Sequence, residues 1–413
     1  MNYAGFSANE MLARKMLADL RVKRQLIVIG NGFDLACGLK SSYADFFGGR
    51  LQAADSIGDC EEEWRKALDE NHLTTWDFIL RLGIGGPDWC NLEKVIGDWV
   101  LPAATDGGQD EASISDQLLG ILDLPVFQDV PSFMEDNLFD SYLGTDSELR
   151  LRDVARCVWH RAGYKAGQGM ERSRLLDFLL AELRVVEDQF KRYLIGQSDN
   201  AAGYLNEAVS LLEDMAWDDL SRSEVKEEYD KTRTSVLSFN YTTPFIYSNR
   251  VIEEENVVNI HGRLDNEIVF GVDGKECMSD LDALPFTKTY RVASMGVKMG
   301  NPLYDTVAGD IGWSKTMTIK FFGHSLGEAD YSYFQSIFDG VNLYGGSTKL
   351  VFYFRPWPGK DEEELHAETV RSVTKLLTTY GATLDNRDHG KNLMHKLLLE
   401  GRLEVKRLKK RVW

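Results

Sequence analysis

An asparagine, a histidine and a glycine-rich turn are the parts of this sequence with chemistry to offer. Asn240 ends the strand-like run TSVLSF-N and carries a neutral amide, donor and acceptor at once, that can hold a water molecule or a sugar hydroxyl. His261 ends a second such run, NVVNI-H, and its imidazole is the side chain whose ordinary pKa suits proton transfer near neutrality. Far upstream, residues 25–47 read QLIVIGNGFDLACGLKSSYADFF. There an apolar run enters a turn containing Gly30 and Gly32, the way α/β proteins bring backbone N–H groups to a phosphate. Neither glycine has a Cβ, so the chain can turn tightly and a ligand can lie against it. The dinucleotide fingerprint G-x-G-x-x-G would need glycine at Leu35. Here the third glycine is displaced to Gly38, which predicts a longer loop before the helix, with Asn31, Asp34, Ser41, Ser42, Tyr43 and Asp45 as its polar side chains. An Asn and a His flanking a dinucleotide suit cleavage of an N-glycosidic bond. The nicotinamide ring is cationic while attached and leaves readily as the neutral base, the transition state resembles an oxocarbenium ion, and the protein need only orient water, polarise a ribose hydroxyl and exclude solvent.

A rival constellation is Gly323-His324-Ser325-Leu326-Gly327, which matches the G-x-S-x-G nucleophile elbow. Ser325 would then be a nucleophile, with His366, His389 or His395 downstream. Against it, Glu328 and Asp330 put acids where an oxyanion would form, Asp361 to Glu364 and His366 share one predicted helix, and the Gly30 turn would have no role. In the nucleotide reading His324 and Ser325 touch ribose or phosphate, and Glu328 or Asp330 caps the next helix or binds a ribose hydroxyl. The plain alternatives are a strand-end turn residue for Asn240 and a hydrogen-bonded core histidine for His261. Trp76, Trp89 and Glu93 read as packed aromatics and a surface acid. The sequence has no H-E-x-x-H, no P-loop and no Cys/His cluster, so no catalytic metal is expected.

These groups need elements to position them. Residues 8–23 place Met11, Leu12, Met16, Leu17 and Leu20 at helical spacing, an amphipathic N-terminal helix. Residues 50–231 are dominated by helical periodicity, with helices over 91–100 and 170–194 and loops over 105–116 and 136–146, and read as a helical insertion. Strands are expected at 26–29, 234–239, 256–260, 267–272, 316–322 and 349–354, with helices at 330–338 and 361–380. Strands alternating with helices predict a parallel sheet, so the core comprises 1–49 and 232–413. Ligands in such sheets sit at the carboxyl ends of the strands. The clusters at Asn31 to Asp34, Asn240-Tyr241, His261 and Gly323 to Ser325 all follow strand ends, and are expected to share one edge. The run Lys406 to Arg411 is expected to be a solvated end.

The chain of 413 residues has a net charge of −18, which argues against general nucleic-acid or anionic-membrane binding. No run is long enough for a membrane span, and there is no secretory h-region. Five cysteines without a C-x-x-C pair read as reduced thiols in a cytoplasmic protein.

IGNGFDLACGLKSSYADF, LSFNYTTPF, NIHG and FFGHSLGEADYSYF, in this order, resemble the AbiH family of bacterial phage abortive-infection proteins. More distantly the layout resembles the sirtuin-like NAD-binding superfamily. The resemblance implies an α/β sirtuin-like Rossmann-type parallel sheet with a large helical insertion. It implies Asn240 and His261 as the catalytic couple, with Gly30, Asn31, Gly32, Phe33, Asp34, Gly38, Tyr43, Tyr241, Gly323, His324, Ser325 and Glu328 around the nucleotide. The four-cysteine zinc module and the acid of the sirtuin Asn-Ile-Asp triplet are missing, and Ser-Tyr-Ala-Asp-Phe stands where sirtuins have a P-D-F-R string. That points from protein deacetylation to hydrolysis of NAD, as substrate, to nicotinamide and ADP-ribose in phage defence. The alternatives are a nucleotide sensor without turnover, a nuclease toxin, or a Ser325-dependent hydrolase. A constitutive NADase would be toxic, so control by self-assembly, a phage-derived trigger or the insertion covering the cleft is expected.

Overall fold

Leu26, Ile27, Val28 and Ile29 are wholly buried, as expected of an apolar run covered on both faces of a parallel sheet. They lie in β1 (Lys23–Ile29), a central strand of a six-stranded sheet. The computed structural model describes residues 23–55, 57, 61–69, 73–82, 92–101, 113–123, 146–162, 169–218, 232–245, 252–274, 280–295, 303, 316–357, 359–385 and 390–410. All of the predicted helix over 8–23 except Lys23, together with Trp89, His389, Cys60, Cys90, Cys277 and most of the two predicted loops, lies outside these residues; Lys23 opens β1.

The other strands are β2 (Thr232–Ser238), β3 (Val257–Asn259), β4 (Thr316–Phe322), β5 (Lys349–Phe354) and β6 (Leu403–Arg407). Their order is β3-β2-β1-β4-β5-β6 and every pairing is parallel, the order of a doubly wound Rossmann-type α/β fold. Ile27 sits between Val236 of β2 and Lys320 of β4. Lys320 is buried, and its ammonium donates to the Met215 and Ala216 carbonyls at 2.7 and 2.9 Å, at the end of the Tyr204–Ala216 helix. A cation there satisfies the carbonyls that a helix C-terminus leaves open.

The chain forms two compact units. The first takes its described residues from Met1–Leu39, Ala201–Ile260 and Lys298–Trp413 and contains the whole sheet; the second comprises Lys40–Asn200 and His261–Val297. The Tyr204–Ala216 helix therefore belongs with the sheet, where Tyr204, Leu211, Leu212 and Met215 join Ile27, Ile29, Phe33 and Val236 in one core. The second unit is helical. Its long helix Arg172–Asn200 receives the Trp76 indole N–H on Leu179 O at 2.8 Å, and a bidentate Arg50–Asp77 pair at 2.6 Å ties two further helices.

Two expected elements differ. Residues 267–272 make only isolated bridges, Gly262 with Ile268 and Val272 with Thr287. Their N–H groups are spent elsewhere, Val269 on His261 O and Phe270 on the Glu187 carboxylate, so no ladder forms. Residues 403–407 are a strand, and Leu408 beyond it is buried, so Lys406 and Arg407 lie on a sheet edge and not on a frayed end. Charged side chains are ordinary on edge strands.

Candidate functional site

The turn after β1 is closed by the turn after β4. Gly30 N–H donates to Phe322 O at 3.2 Å, Gly32 N–H to Gly323 O at 2.7 Å and Phe33 N–H to Gly30 O at 2.8 Å. A Cβ on Gly32 would lie 2.6 Å from Gly323 Cα, and one on Gly323 only 2.3 Å from Phe33 N. The glycines here allow backbone to meet backbone. Three N–H groups that a phosphate loop would offer to a ligand are bonded within the turns themselves.

Gly38 has a different task from the one its spacing suggested. The helix Asn31–Ala36 starts at once after Gly30, then ends at Gly38 with φ +87°. Leu39 N–H reaches Asp34 O and Gly38 N–H reaches Leu35 O, both at 3.0 Å. That pattern is a Schellman C-terminus with glycine at the left-handed position. Asn31 is exposed at the start of this helix, while Phe33 is fully buried, edge-on to Phe245 and Phe322, and belongs to the core.

Asp34 is the centre of a buried polar network. The Tyr204 hydroxyl donates to its Oδ1 at 2.7 Å and the Thr242 hydroxyl to its Oδ2 at 2.6 Å. Burial pushes its carboxyl up to about 6, although Thr242, Tyr204 and Asn240 each pull it down. The neighbouring Cys37 thiol is pushed up to about 12, first by burial and then by Asp34, so it stays neutral. From β3, Asn259 donates through Nδ2 to Asn240 O at 2.7 Å and to Thr242 O at 3.0 Å. Ser238 Oγ accepts from Asn240 N–H at 3.2 Å. The backbone after β2 is thus held firmly, with Tyr241 buried between Asn240 and Thr242.

The Asn240 side chain is the exception. It is 4% exposed and lies near enough to Asp34 to help hold that carboxyl down, yet neither its nitrogen nor its oxygen has a partner at hydrogen-bonding geometry. Asn259 Oδ1 is likewise buried without a partner. An orphaned buried polar group costs about 1–3 kcal/mol, so two such residues at adjacent strand ends call for a partner.

The β4 turn is mostly self-contained. His324 Nδ1 accepts from Leu326 N–H at 2.9 Å, its Nε2 lies 3.3 Å from Asp330, and its ring packs edge-on against Phe239 and Phe334. Ser325 Oγ accepts from Gly327 N–H at 3.3 Å, it is Leu326 that has positive φ, and the next α-helix starts only at Tyr331. This is not the strand–Ser–helix turn that presents a nucleophile. Glu328 is exposed and pairs with Lys375 at 2.8 Å. Among the rival's downstream histidines, His366 packs on Phe354.

Two of the expected site residues belong to the second unit. His261 is buried, its carbonyl accepts from Val269 N–H at 2.9 Å, and Gly262 after it has φ +95° with Glu267 O only 2.0 Å from where a Cβ would be. The His-Gly pair is therefore fixed by backbone geometry that only glycine allows. Tyr43 packs on Phe190 and Phe270 in an aromatic cluster. The first unit brings together Gly30, Gly32, Asp34, Asn240, Tyr241, Gly323 and His324. Sequence reasoning missed Tyr204, Thr242 and Asn259 as members of that network. Thr242 and Asn259 do stand beside the strand-end residues it singled out. Among the described residues no three His, Cys, Asp or Glu side chains gather as a metal site would require. No described helix is long and apolar enough to cross a membrane.

The model of the family described as Bacteriophage abortive infection AbiH matches residues 26–353. No curated protein matches the chain.

Proposed function

This chain belongs to the AbiH family of bacteriophage abortive infection proteins, and we propose that it acts by cleaving NAD at the N-glycosidic bond to give nicotinamide and ADP-ribose. The observation that carries this reading is the Asn240 carboxamide, buried at the carboxyl end of β2 with both polar atoms unpartnered. In a sheet of order β3-β2-β1-β4-β5-β6 that edge is where nucleotides bind. The core is read as sirtuin-like. Asn240 orients the attacking water or the ribose, and His261 takes a proton or polarises a ribose hydroxyl. The turn at Gly30 and Gly32 serves by fixing Asp34 and the β4 turn, and does not wrap phosphate. The reaction is placed in the cytoplasm, restrained until infection by self-assembly or by a phage-derived trigger.

The test is direct. Purified protein is incubated with NAD and nicotinamide is followed by chromatography, alongside the NAD content of infected cells. Asn240→Ala and His261→Ala should each lower the rate by about 10²- to 10⁴-fold. Equal turnover by wild type and His261→Ala removes the mechanism. Unchanged NAD in both assays removes the activity.

A further inference from the structure

Asn259 is buried at the end of β3, next to the site but with no part in the chemistry described so far. A primary amide nitrogen has two hydrogens to give, and both are spent, on Asn240 O and on Thr242 O. The orientation of this amide is therefore fixed, because flipping it would set Oδ1 against two carbonyl oxygens. Its Oδ1 is left buried and without a partner, and so is the whole Asn240 carboxamide, to whose own backbone Asn259 is bonded. Asp34, whose carboxyl Asn240 helps hold down, accepts from Tyr204 on one oxygen and from Thr242 on the other. The unspent atoms are two neutral acceptors, Asn259 Oδ1 and Asn240 Oδ1, and one neutral donor, Asn240 Nδ2, which suits an uncharged group with hydrogens to give and disfavours phosphate.

We infer that Asn259 Oδ1 and the Asn240 carboxamide form one subsite that receives a neutral, hydrogen-bond-donating group, either the vicinal hydroxyls of a ribose or a primary carboxamide. Asn259 is then a ligand-binding residue as well as a brace for the β2 turn. The subsite rests on the proposed reaction only for the choice of ligand class.

Two probes separate the sources. ADP-ribose carries ribose hydroxyls and no carboxamide, whereas nicotinamide carries the carboxamide and no ribose. Full-length protein is titrated with each by calorimetry. Wild type should bind at least one, and Asn259→Ala should weaken that one tenfold or more while still melting cooperatively. If Asn259→Ala does not fold, Asn240→Ala takes its place, since the backbone carbonyl that accepts from Asn259 survives that change; the same tenfold loss is expected. Failure of wild type to bind either probe overturns the subsite, and so does binding by the folded variant within twofold of wild type. Release of nicotinamide from NAD without measurable binding of either probe would remove the subsite and leave the activity standing. Asparagine-dependent binding without release would remove the activity and leave the subsite.

Discussion

Replacing Asn240 by alanine should make the free protein more stable. The carboxamide is buried with nitrogen and oxygen both unpartnered. Deleting two such atoms recovers about 2–4 kcal/mol together, less than twice the about 1–3 kcal/mol of a single orphaned group because both belong to one amide. The small cavity left behind costs about 1 kcal/mol if the site does not relax. The net expectation is a gain of about 1–3 kcal/mol. The braces of the turn are untouched, because Asn259 and Ser238 bond to the backbone of residue 240 and not to its side chain. The gain should depend on pH. Asn240 helps hold the Asp34 carboxyl down, so its loss raises that group further from about 6 and makes an ionised Asp34 costlier. At pH 5 this matters little; at pH 8 it should erode the gain. Urea unfolding of both proteins at the two values measures the difference, with an unchanged dependence on denaturant as the check that the same surface is exposed. A variant less stable than wild type by 1 kcal/mol or more at pH 5 refutes the reasoning, for it would mean that the amide is satisfied in the free protein and that no ligand is needed to explain it.

Other consequences follow from the same contacts. Gly323→Ala would put a methyl 2.3 Å from Phe33 N at φ +69°, and should cost about 2–5 kcal/mol by overpacking and backbone strain together. Gly38→Ala has φ +87° but open space around it, and should cost only about 1 kcal/mol in the same melting assay. The Asp34 carboxyl is raised in the folded state, so its contribution is fully present below the unfolded value near 3.8 and is lost as pH rises through about 6. Over that window the loss amounts to about 3 kcal/mol. The stability difference between wild type and Asp34→Asn, measured from pH 3.5 to 7, should fall across that window, and a flat difference would contradict the burial of the group. In the second unit Glu187 pairs with Arg291 through both oxygens and also receives Phe270 N–H at 2.7 Å. Glu187→Ala should cost about 3–5 kcal/mol by stranding a buried arginine, and Glu187→Met with Arg291→Leu should recover much of it.

How much of this was legible in the sequence depended on whether the deciding contact was local. Strands β4 and β5 coincide with the expected 316–322 and 349–354, because apolar and aromatic runs bounded by turn residues admit few other readings. The strand β6 was hidden by its charges, Glu404, Lys406 and Arg407, which an edge tolerates and a sequence pattern counts as solvent. The run 267–272 is apolar and rich in β-branched and aromatic residues like a strand, but its N–H groups go to Glu187 and His261, partners that no local pattern reveals. The helix Tyr204–Ala216 is amphipathic like its neighbours, and nothing in that pattern says which layer it covers. Tyr204 therefore stayed invisible as the partner of Asp34, 170 positions away. Gly38 shows a motif misleading by spacing alone, since one glycine in the left-handed region can end a helix or shape a phosphate loop, and only the bonds of Leu39 and Gly38 decide.

The location of the unpaired groups has its own logic. In a doubly wound sheet the crevice between β1 and β4, where the strand order reverses, is the ordinary seat of a pyrophosphate. Here that place is taken by two turns bonded to each other through Gly30, Gly32 and Gly323. On the proposed reading a ligand is recognised beside it, at the ends of β2 and β3, where Asn240 and Asn259 hold unspent hydrogen-bonding capacity near a carboxyl that burial raises to about 6. Such a site would read the uncharged part of a nucleotide, the sugar or the amide, and would gain little from its phosphates. A dinucleotide would be held by the end that reacts, and recognition and bond cleavage would draw on the same carboxamide.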